Sequence, residues 1–407
     1  MERWSNGIPA VGPKTPMFDA CMDSDSFDIV VIGAGPAGSM AAAAAARRGR
    51  KVCLVDRLER PGCPVRCGEG IGLKGASVSI SLKDEWIRAC VSKVVFTSPG
   101  GIRVELRNLD KSYILDREKM DYDLALDAQK AGATWLPRTP ITGLERDSGG
   151  RYVAHAQGQH LRADCLIIAD GVESRLARDL GWNTTLALED VDTCAFARVT
   201  HPSIDQTAVC FHVGKTVAPG GYAWVFPRGN GQANVGLGIL GSLSGPGKSR
   251  WHLDPFIARL FPSATVTDLH CGGVPVGRYL RPLVRDGAMV VGDAARQVGA
   301  VNGAGIAYSL WAGKTAGTIA ADAFSGETFA AERLRAYEKA WVSSFGKQQL
   351  RSYALKRMAL TYSDEFMDRI AGALSKENPD RLNYLRVFLR AFAGHPLLLL
   401  KAIRLFG

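Results

Sequence analysis

The chain has 407 residues, of which 46% are apolar and 22% charged, a composition that excludes a small binding module, a disordered chain and a fibrous repeat and leaves room for two or three domains with a large core. Fifty Lys and Arg against forty Asp and Glu leave a formal charge of +10, which favours anionic ligands, phosphates or an acidic membrane surface without choosing among them. Nine cysteines are too sparse for a secreted disulfide scaffold, and the absence of any run of about 18 to 20 apolar residues excludes a spanning helix, so a reducing, cytoplasmic location is expected.

Residues 1–26 are polar and lack the apolar core of a signal peptide, which reads as a flexible leader. FDIVVIGAGPAGSMAAAAAARRGRKVCLVD, 27–56, passes from a β-branched run through glycines into an alanine-rich helix and a second strand, a βαβ opening. Within it Gly33, Gly35 and Gly38 form a GxGxxG motif in the context that makes the motif specific. Gly33 permits the tight turn, Gly35 the approach of a pyrophosphate and Gly38 the packing of helix on strand. Ala34, Pro36 and Ala37 complete the phosphate loop at a helix N-terminus. Asp56, ending the second strand, is expected on ribose hydroxyls, with Arg57 beside it.

Residues 90–115 read as antiparallel strands around a Pro99–Gly101 turn. Residues 116–132 read as a helix with Met120, Leu124 and Ala128 on one stripe, ending at Gly132. LRADCLIIADG, 161–171, is a buried-type strand running into a turn, and 190–280 is rich in strands. Strand, glycine loop and long helix return in GAMVVGDAARQVGAVNGAGIAYSL, and from Glu332 the pattern is helical. The expected organisation is α/β: a Rossmann-type dinucleotide domain assembled from 27–89, 116–189 and 281–331, an antiparallel-sheet substrate domain from 90–115 and 190–280, and a helical region over 332–407.

A second GxGxxG match, Gly236, Gly238 and Gly241, is followed by SLSGPGKSR, which does not suit the start of a packed helix. It is expected to be a glycine-flexed strand near a ligand and not a second nucleotide site. Cys63 and Cys67 lack a second Cys or His pair at zinc spacing, so no metal is expected, and the seven histidines show no ligand or catalytic pattern.

VVGDAARQVGAVNGAGIAYSL, with Gly292, Asp293, Gly303, Gly305 and Ile306, resembles the second FAD signature of the para-hydroxybenzoate hydroxylase-like flavoproteins. IIADGVESRLAR, with Asp170, Gly171 and Ser174, resembles their third, and Arg117 in ILDREKMDYDLA matches an arginine that in relatives lies near the flavin. The resemblance implies FAD, with Asp293 on the ribityl chain. PVRCGEGIG, with Arg66, Cys67, Gly68 and Glu69, and GYAWVFPRGNGQANVGLG resemble two motifs of the geranylgeranyl reductases, nearest to the archaeal digeranylgeranylglycerophospholipid type. That likeness implies reduction of isolated double bonds in a polyprenyl group, with a polyprenyl lipid or diphosphate as substrate and NADPH, F420 or ferredoxin as external electron donor.

Tyr222, Trp224 and Phe226 alternate along a strand and so share a face, an aromatic wall suited to a prenyl chain, with Pro227, Gly236 and Gly238 placed beside it. Cys67, Glu69 and Tyr222 are the candidate proton donors, and Cys271 is a candidate to approach Cys67. Two rival readings remain at this level: a flavin monooxygenase or halogenase, because GYAWVFP also resembles GWxWxIP with Tyr222 in place of tryptophan, and a non-catalytic prenyl-lipid-binding flavoprotein. No nucleic-acid partner is expected. The terminal RLNYLRVFLRAFAGHPLLLLKAIRLFG places Leu382, Leu385, Leu389 and Phe392 on one stripe and carries Arg381, Arg386, Arg390, Lys401 and Arg404 with no acid, which reads equally as a packed helix or as a peripheral membrane contact.

Overall fold

The computed structural model describes residues 26–72, 75, 77–107 and 111–382; residues 1–25 of the leader and the terminal stripe beyond Leu382, with its cations Arg386, Arg390, Lys401 and Arg404, lie outside them. β1 (Ser26–Ile32), α1 (Pro36–Ala46) and β2 (Val52–Val55) form the opening unit. β3 (Gly70–Gly72), β4 (Ile87–Val91), β5 (Lys93–Thr97), β6 (Arg103–Leu106) and β7 (Ser112–Leu115) precede α2 (Arg117–Lys130). β8 (Thr134–Leu136), β9 (Ile141–Arg146), β10 (Tyr152–Ala156), β11 (Gln159–Ile168) and the short α3 (Leu176–Asp179) follow. Then come β12 (Val191–Thr200), β13 (Ala208–His212), β14 (Tyr222–Gly229), β15 (Gln232–Leu240), α4 (Lys248–Leu260) and β16 (Thr265–Pro275). β17 (Val284–Arg285), β18 (Ala288–Val290), α5 (Ile306–Asp322), β19 (Phe324–Ser325), β20 (Thr328–Phe329), α6 (Arg335–Trp341), α7 (Lys347–Ala359) and α8 (Asp364–Leu374) complete the described chain.

The first sheet has eight strands, with the path β17-β18-β11-β1-β2-β8 and the hairpin strands β9 and β10 attached to β11. Its centre, β18-β11-β1-β2-β8, is parallel, as a doubly wound nucleotide fold requires. β1 and β2 are almost wholly buried because helices cover the sheet, which is why their sequences are continuous apolar runs instead of alternating ones.

The alanine run of α1 has a packing cause. A Cβ on Gly313 would lie 1.9 Å from the Ala37 carbonyl oxygen and one on Gly317 2.1 Å from that of Ala41, so α5 rides directly on the backbone of α1. Any larger side chain at this crossing would force the helices apart.

The second sheet has seven strands in the order β16-β12-β15-β14-β13-β5-β6, antiparallel except for the β13–β5 pair. One face buries Ala197, Val199, Val225, Val235 and Leu237 against α4. The other carries the aromatic residues and faces the nucleotide-binding half. Gly236 and Gly238 of the second glycine motif lie in β15, an antiparallel strand between β12 and β14, with Gly241 in the turn just after it, and the motif builds no nucleotide fold. One expectation is corrected here: SLSGPGKSR does run into a packed helix, α4, which starts at Lys248 after Gly247 in the left-handed conformation at φ 71°. α2 is capped by Asp116, whose carboxylate accepts from the Lys119 amide at 3.2 Å, and buries Met120, Leu124 and Ala128.

Candidate active site

The phosphate loop is built by three different steric demands. A methyl on Gly33 would stand 2.3 Å from the Ala169 carbonyl oxygen, and one on Gly38 would stand 1.7 Å from that of Gly33. A methyl on Gly35 would meet nothing within 4 Å. Gly33 and Gly38 are therefore required by the fold, while the space in front of Gly35 is open at the N-terminus of an 11-residue helix. The first-turn amides of Ala37 and Gly38 have no helical acceptor and can serve an anion there. Ala34 is placed differently from the expectation that it joins this cradle: its amide donates to Asp56 Oδ2 at 2.6 Å. Asp56 also accepts from the Leu58 amide at 2.7 Å, which fixes the carboxylate at the strand end and leaves further lone pairs for a ribose.

Beside this loop lies a cleft of about 410 Å³ lined by Arg57, Gly62, Arg66, Cys67, Arg117 and Glu173 among others. Four residues expected at the cofactor, Arg57, Arg66, Cys67 and Arg117, thus meet in one cavity. Arg57 and Arg66 both approach Glu173 at 3.6 Å and are otherwise exposed. Arg117 is nearly buried and donates through Nε and Nη2 to both oxygens of Asp121 at 2.8 Å each, a bidentate pair that fixes the guanidinium plane.

Asp170 accepts from the Arg175 amide at 3.2 Å, while its Oδ1 is buried without a hydrogen-bond partner, and burial holds its carboxyl above the usual range. Asp293 sits in the tight turn Gly292–Ala295, where burial pushes its carboxyl up to about 6 against the opposing pull of Arg117. The Oδ1 atom of Asp293 would lie 3.2 Å from a methyl on Gly305, so this carboxylate faces the N-terminus of α5, which begins at Ile306. An open phosphate cradle, an orphaned carboxylate oxygen and a second buried carboxylate at a helix N-terminus fit FAD, whose pyrophosphate, ribityl hydroxyls and flavin ring supply the missing partners.

The site also has a stability signature. A carboxyl whose value rises from 3.8 to about 6 on folding binds its proton more tightly in the native state, so native stability falls as pH climbs through that window, by up to roughly 3 kcal/mol. In the flavin-free protein, Asp293→Asn is expected to melt above the wild type at pH 7 to 8, with the gap closing below pH about 4, while binding FAD more weakly. Thermal melts across pH with flavin titrations check this, and a gap independent of pH would remove the buried charge as its cause.

The loop Cys67–Gly70 lies on the aromatic face of the second sheet. A methyl on Gly68 would come within 3.2 Å of Phe226 and 3.5 Å of the Trp224 indole nitrogen, and one on Gly70 within 3.3 Å of Phe226. Glycine is what lets the loop seat against the rings. Glu69 is 2% exposed at φ 70°, its amide donates to Cys67 Sγ at 3.2 Å and its carbonyl accepts from Leu115. Its carboxylate pairs with buried Arg228 and accepts from Asn234 Nδ2 at 3.3 Å, while Asn234 also donates to the Cys67 carbonyl at 2.9 Å and accepts from Trp224 Nε1 at 2.8 Å. Arg228, Asn234 and Asp121 were not found from sequence; continuing the alternation Tyr222, Trp224, Phe226 by one step reaches Arg228.

The three candidate proton donors are separated by this geometry. Glu69 is committed to an ion pair with buried Arg228 and accepts from Asn234 as well, so its carboxylate is held against the sheet. Tyr222 donates to the Asn302 carbonyl at 2.7 Å, and burial pushes its hydroxyl up. Cys67 lines the cofactor cleft, and burial pushes its thiol up so that it keeps its proton at neutral pH, despite nearby Arg117. Cys271 is a free, exposed thiol in β16, and Cys67 is likewise unbridged.

Of the residues expected on the wall, Tyr222, Trp224 and Phe226 share one face with Phe211, their rings 5.4 to 6.2 Å apart in sequence of contact. Pro227 is corrected: by alternation it points to the opposite face with Ala223 and Val225, away from the wall. Gly236 and Gly238 serve packing. A methyl on Gly236 would lie 2.3 Å from Trp224 and 2.5 Å from Phe196, and one on Gly238 would lie 3.2 Å from Cys194 Sγ.

A parallel nucleotide fold carrying this cleft, with an antiparallel sheet closing over it, defines an FAD-dependent oxidoreductase of the hydroxylase-like architecture, and residues 28–64 match the FAD dependent oxidoreductase family. Residues 190–274 match the geranylgeranyl reductase catalytic domain. The chain is 39% identical to the digeranylgeranylglycerophospholipid reductase of Methanothrix thermoacetophila over 89% of this chain and 96% of that one, and 35% identical to digeranylgeranylglycerophospholipid reductase 1 of Methanococcoides burtonii over 92% and 94%. It therefore belongs to the digeranylgeranylglycerophospholipid reductase family. Its fold superposes on a geranylgeranyl bacteriochlorophyll reductase-like protein of Thermoplasma acidophilum with a TM-score of 0.86 at 28% identity, covering 93% of this chain and 99% of that one. The flavin-dependent brominase Bmp2, at TM-score 0.67 and 18% identity over 93% of this chain and 93% of that one, shares the fold alone.

Proposed function

We propose that the protein saturates carbon–carbon double bonds in the geranylgeranyl chains of a glycerophospholipid, with Cys67 giving the proton that completes each reduction. FAD held there in its reduced form would supply the hydride. The residues do the rest. Gly35, Asp56, Asp170 and Asp293 hold the cofactor, and Tyr222, Trp224 and Phe226 with the glycine loop form a dry apolar flank for the alkene. Arg228 and Asn234 pin the loop through Glu69, and Cys67 presents a protonated thiol in the cofactor cleft. The observation that carries this reading is the position of that loop, which joins the cleft to the aromatic face through Cys67 on one side and Gly68 on the other. Because the Gly236–Gly241 motif is built into an antiparallel strand and the turn just after it, electrons are drawn from an external donor of the NADPH, F420 or ferredoxin class and not from a nucleotide held by that motif.

Under anaerobic conditions, FADH2 on the wild-type protein should be reoxidised by a geranylgeranyl lipid with formation of the saturated product. Cys67→Ala is expected to keep stoichiometric flavin and slow that reoxidation by about 10² to 10⁴, the usual range for a removed general acid, with Cys67→Ser intermediate. Rapid-mixing absorbance and a solvent isotope effect measure it. Wild-type rates in Cys67→Ala would remove the thiol from the mechanism, and failure of the wild type to reoxidise with any prenyl lipid would remove the reaction.

A further inference from the structure

The stretch from Gly241 through α4 belongs to neither the cofactor cleft nor the aromatic face. α4 buries Ser249, Leu253, Phe256 and Ile257 beneath the back of the seven-stranded sheet. Its other side exposes Trp251 at 69%, with Pro255 and Ala258 exposed at i+4 and i+7 on the same stripe. Leu243, 47% exposed, is held beside the helix start because Lys248 Nζ donates to its carbonyl at 2.8 Å. Lys248, Arg250 and Arg259 flank this apolar stripe, and from Gly241 to Leu253 the chain carries no carboxylate. Asp254, the one acid on α4, stands 3.6 Å from Arg250.

A helix docked by one face that shows an exposed indole, packed only edge-on by the His252 ring at 4.8 Å, and three cations on the other has the chemistry of an interfacial element: the ring suits the headgroup–acyl boundary and the cations suit lipid phosphates. A second copy of this chain fits less well, since a self-complementary contact through this face would bring like charges together. The patch also adjoins the site. A methyl on Gly220, two residues before Tyr222, would lie 2.7 Å from Leu240 and 3.1 Å from Leu243, so the exposed leucine abuts the Tyr222 end of the aromatic strand.

We propose that this edge of the molecule, Leu243 and Trp251 with Lys248 and Arg250, docks on an anionic bilayer, which would place the Tyr222 end of the aromatic row next to a membrane-held chain. The inference draws on the proposed function only for the location of the substrate, and its test involves no turnover, so the two can fail separately.

The test is sedimentation of the full-length flavoprotein with vesicles of equal parts phosphatidylcholine and phosphatidylglycerol at low salt. Lys248→Gln with Arg250→Gln should weaken partitioning by roughly thirtyfold, at about fivefold per cation, and raised salt should mimic the loss. Trp251→Glu with Leu243→Glu should abolish binding, with flavin content and melting temperature unchanged because both side chains are exposed. Trp251→Phe should retain binding but lose the blue shift in emission that vesicles induce in the wild type. Full sedimentation of the double glutamate variant overturns the proposal, as does conversion of an oligomer to a monomer by that variant with vesicle binding intact, which would assign the face to a second copy.

Discussion

Gly35→Val is expected to yield a folded protein without flavin. Space in front of Gly35 is open, and its φ of −65° with extended ψ is one that a branched residue adopts without strain, so the polypeptide itself has no reason to reject valine. The branched side chain would instead fill the approach to the Ala37 and Gly38 amides. Losing two amide contacts to a charged pyrophosphate removes about 4 kcal/mol, roughly a thousandfold in affinity. Gly38→Ala makes the opposite case: its methyl would stand 1.7 Å from a backbone oxygen, so α1 cannot keep its place and soluble protein should be lost. Absorbance at the flavin maximum, circular dichroism and thermal melting separate the two outcomes. Flavin retained at full occupancy in Gly35→Val would mean that the cofactor phosphates lie elsewhere.

The same pair of glycines shows what was legible in the sequence. GxGxxG between a β-branched strand and a helix fixes chain direction, helix start and phosphate position, because each glycine answers a local steric demand within a few residues. α2 was equally legible, since its cap at Asp116 and its stripe are both local signals. The partners of Glu69 were not. Arg228 and Asn234 are 159 and 165 residues away, and only the pairing of β14 with β15 brings them beneath the loop. Local spacing carries no record of such a contact.

Pro227 is expected beside the wall, with the glycines, as a point where backbone approaches a ligand, and the period of two along β14 turns its ring to the opposite face. The alanine run of α1 is legible as a helix, but the reason for its alanines is not. Its cause lies in Gly313 and Gly317 on a helix nearly three hundred residues later. Family resemblance and local pattern thus identified the cofactor and the class of reaction, while the ranking of the three proton donors needed the hydrogen bonds.

Arg228→Met is expected to destabilise the protein by about 3 to 5 kcal/mol, since it leaves the buried Glu69 charge without its partner. Arg228 is 7% exposed and Glu69 2%, so water replaces little of the lost interaction, and Asn234 at 3.3 Å provides a single neutral hydrogen bond. Glu69→Gln should cost a similar amount for the mirrored reason, by stranding the guanidinium. The double variant Glu69→Gln with Arg228→Met, which removes both charges, should recover most of the loss, because a neutral pair of similar volume avoids the desolvation that the ion pair had to offset. Denaturant unfolding of the two single variants and the double gives this coupling directly. Flavin should remain bound in all three folded proteins, since Gly35 and Asp293 are untouched, but the loop that carries Cys67 would lose its anchor to the aromatic face and reoxidation of FADH2 by lipid should slow. Two single variants that each cost less than about 1 kcal/mol, or whose effects simply add, would show that the loop is held by its glycine contacts with Phe226 and not by the ion pair.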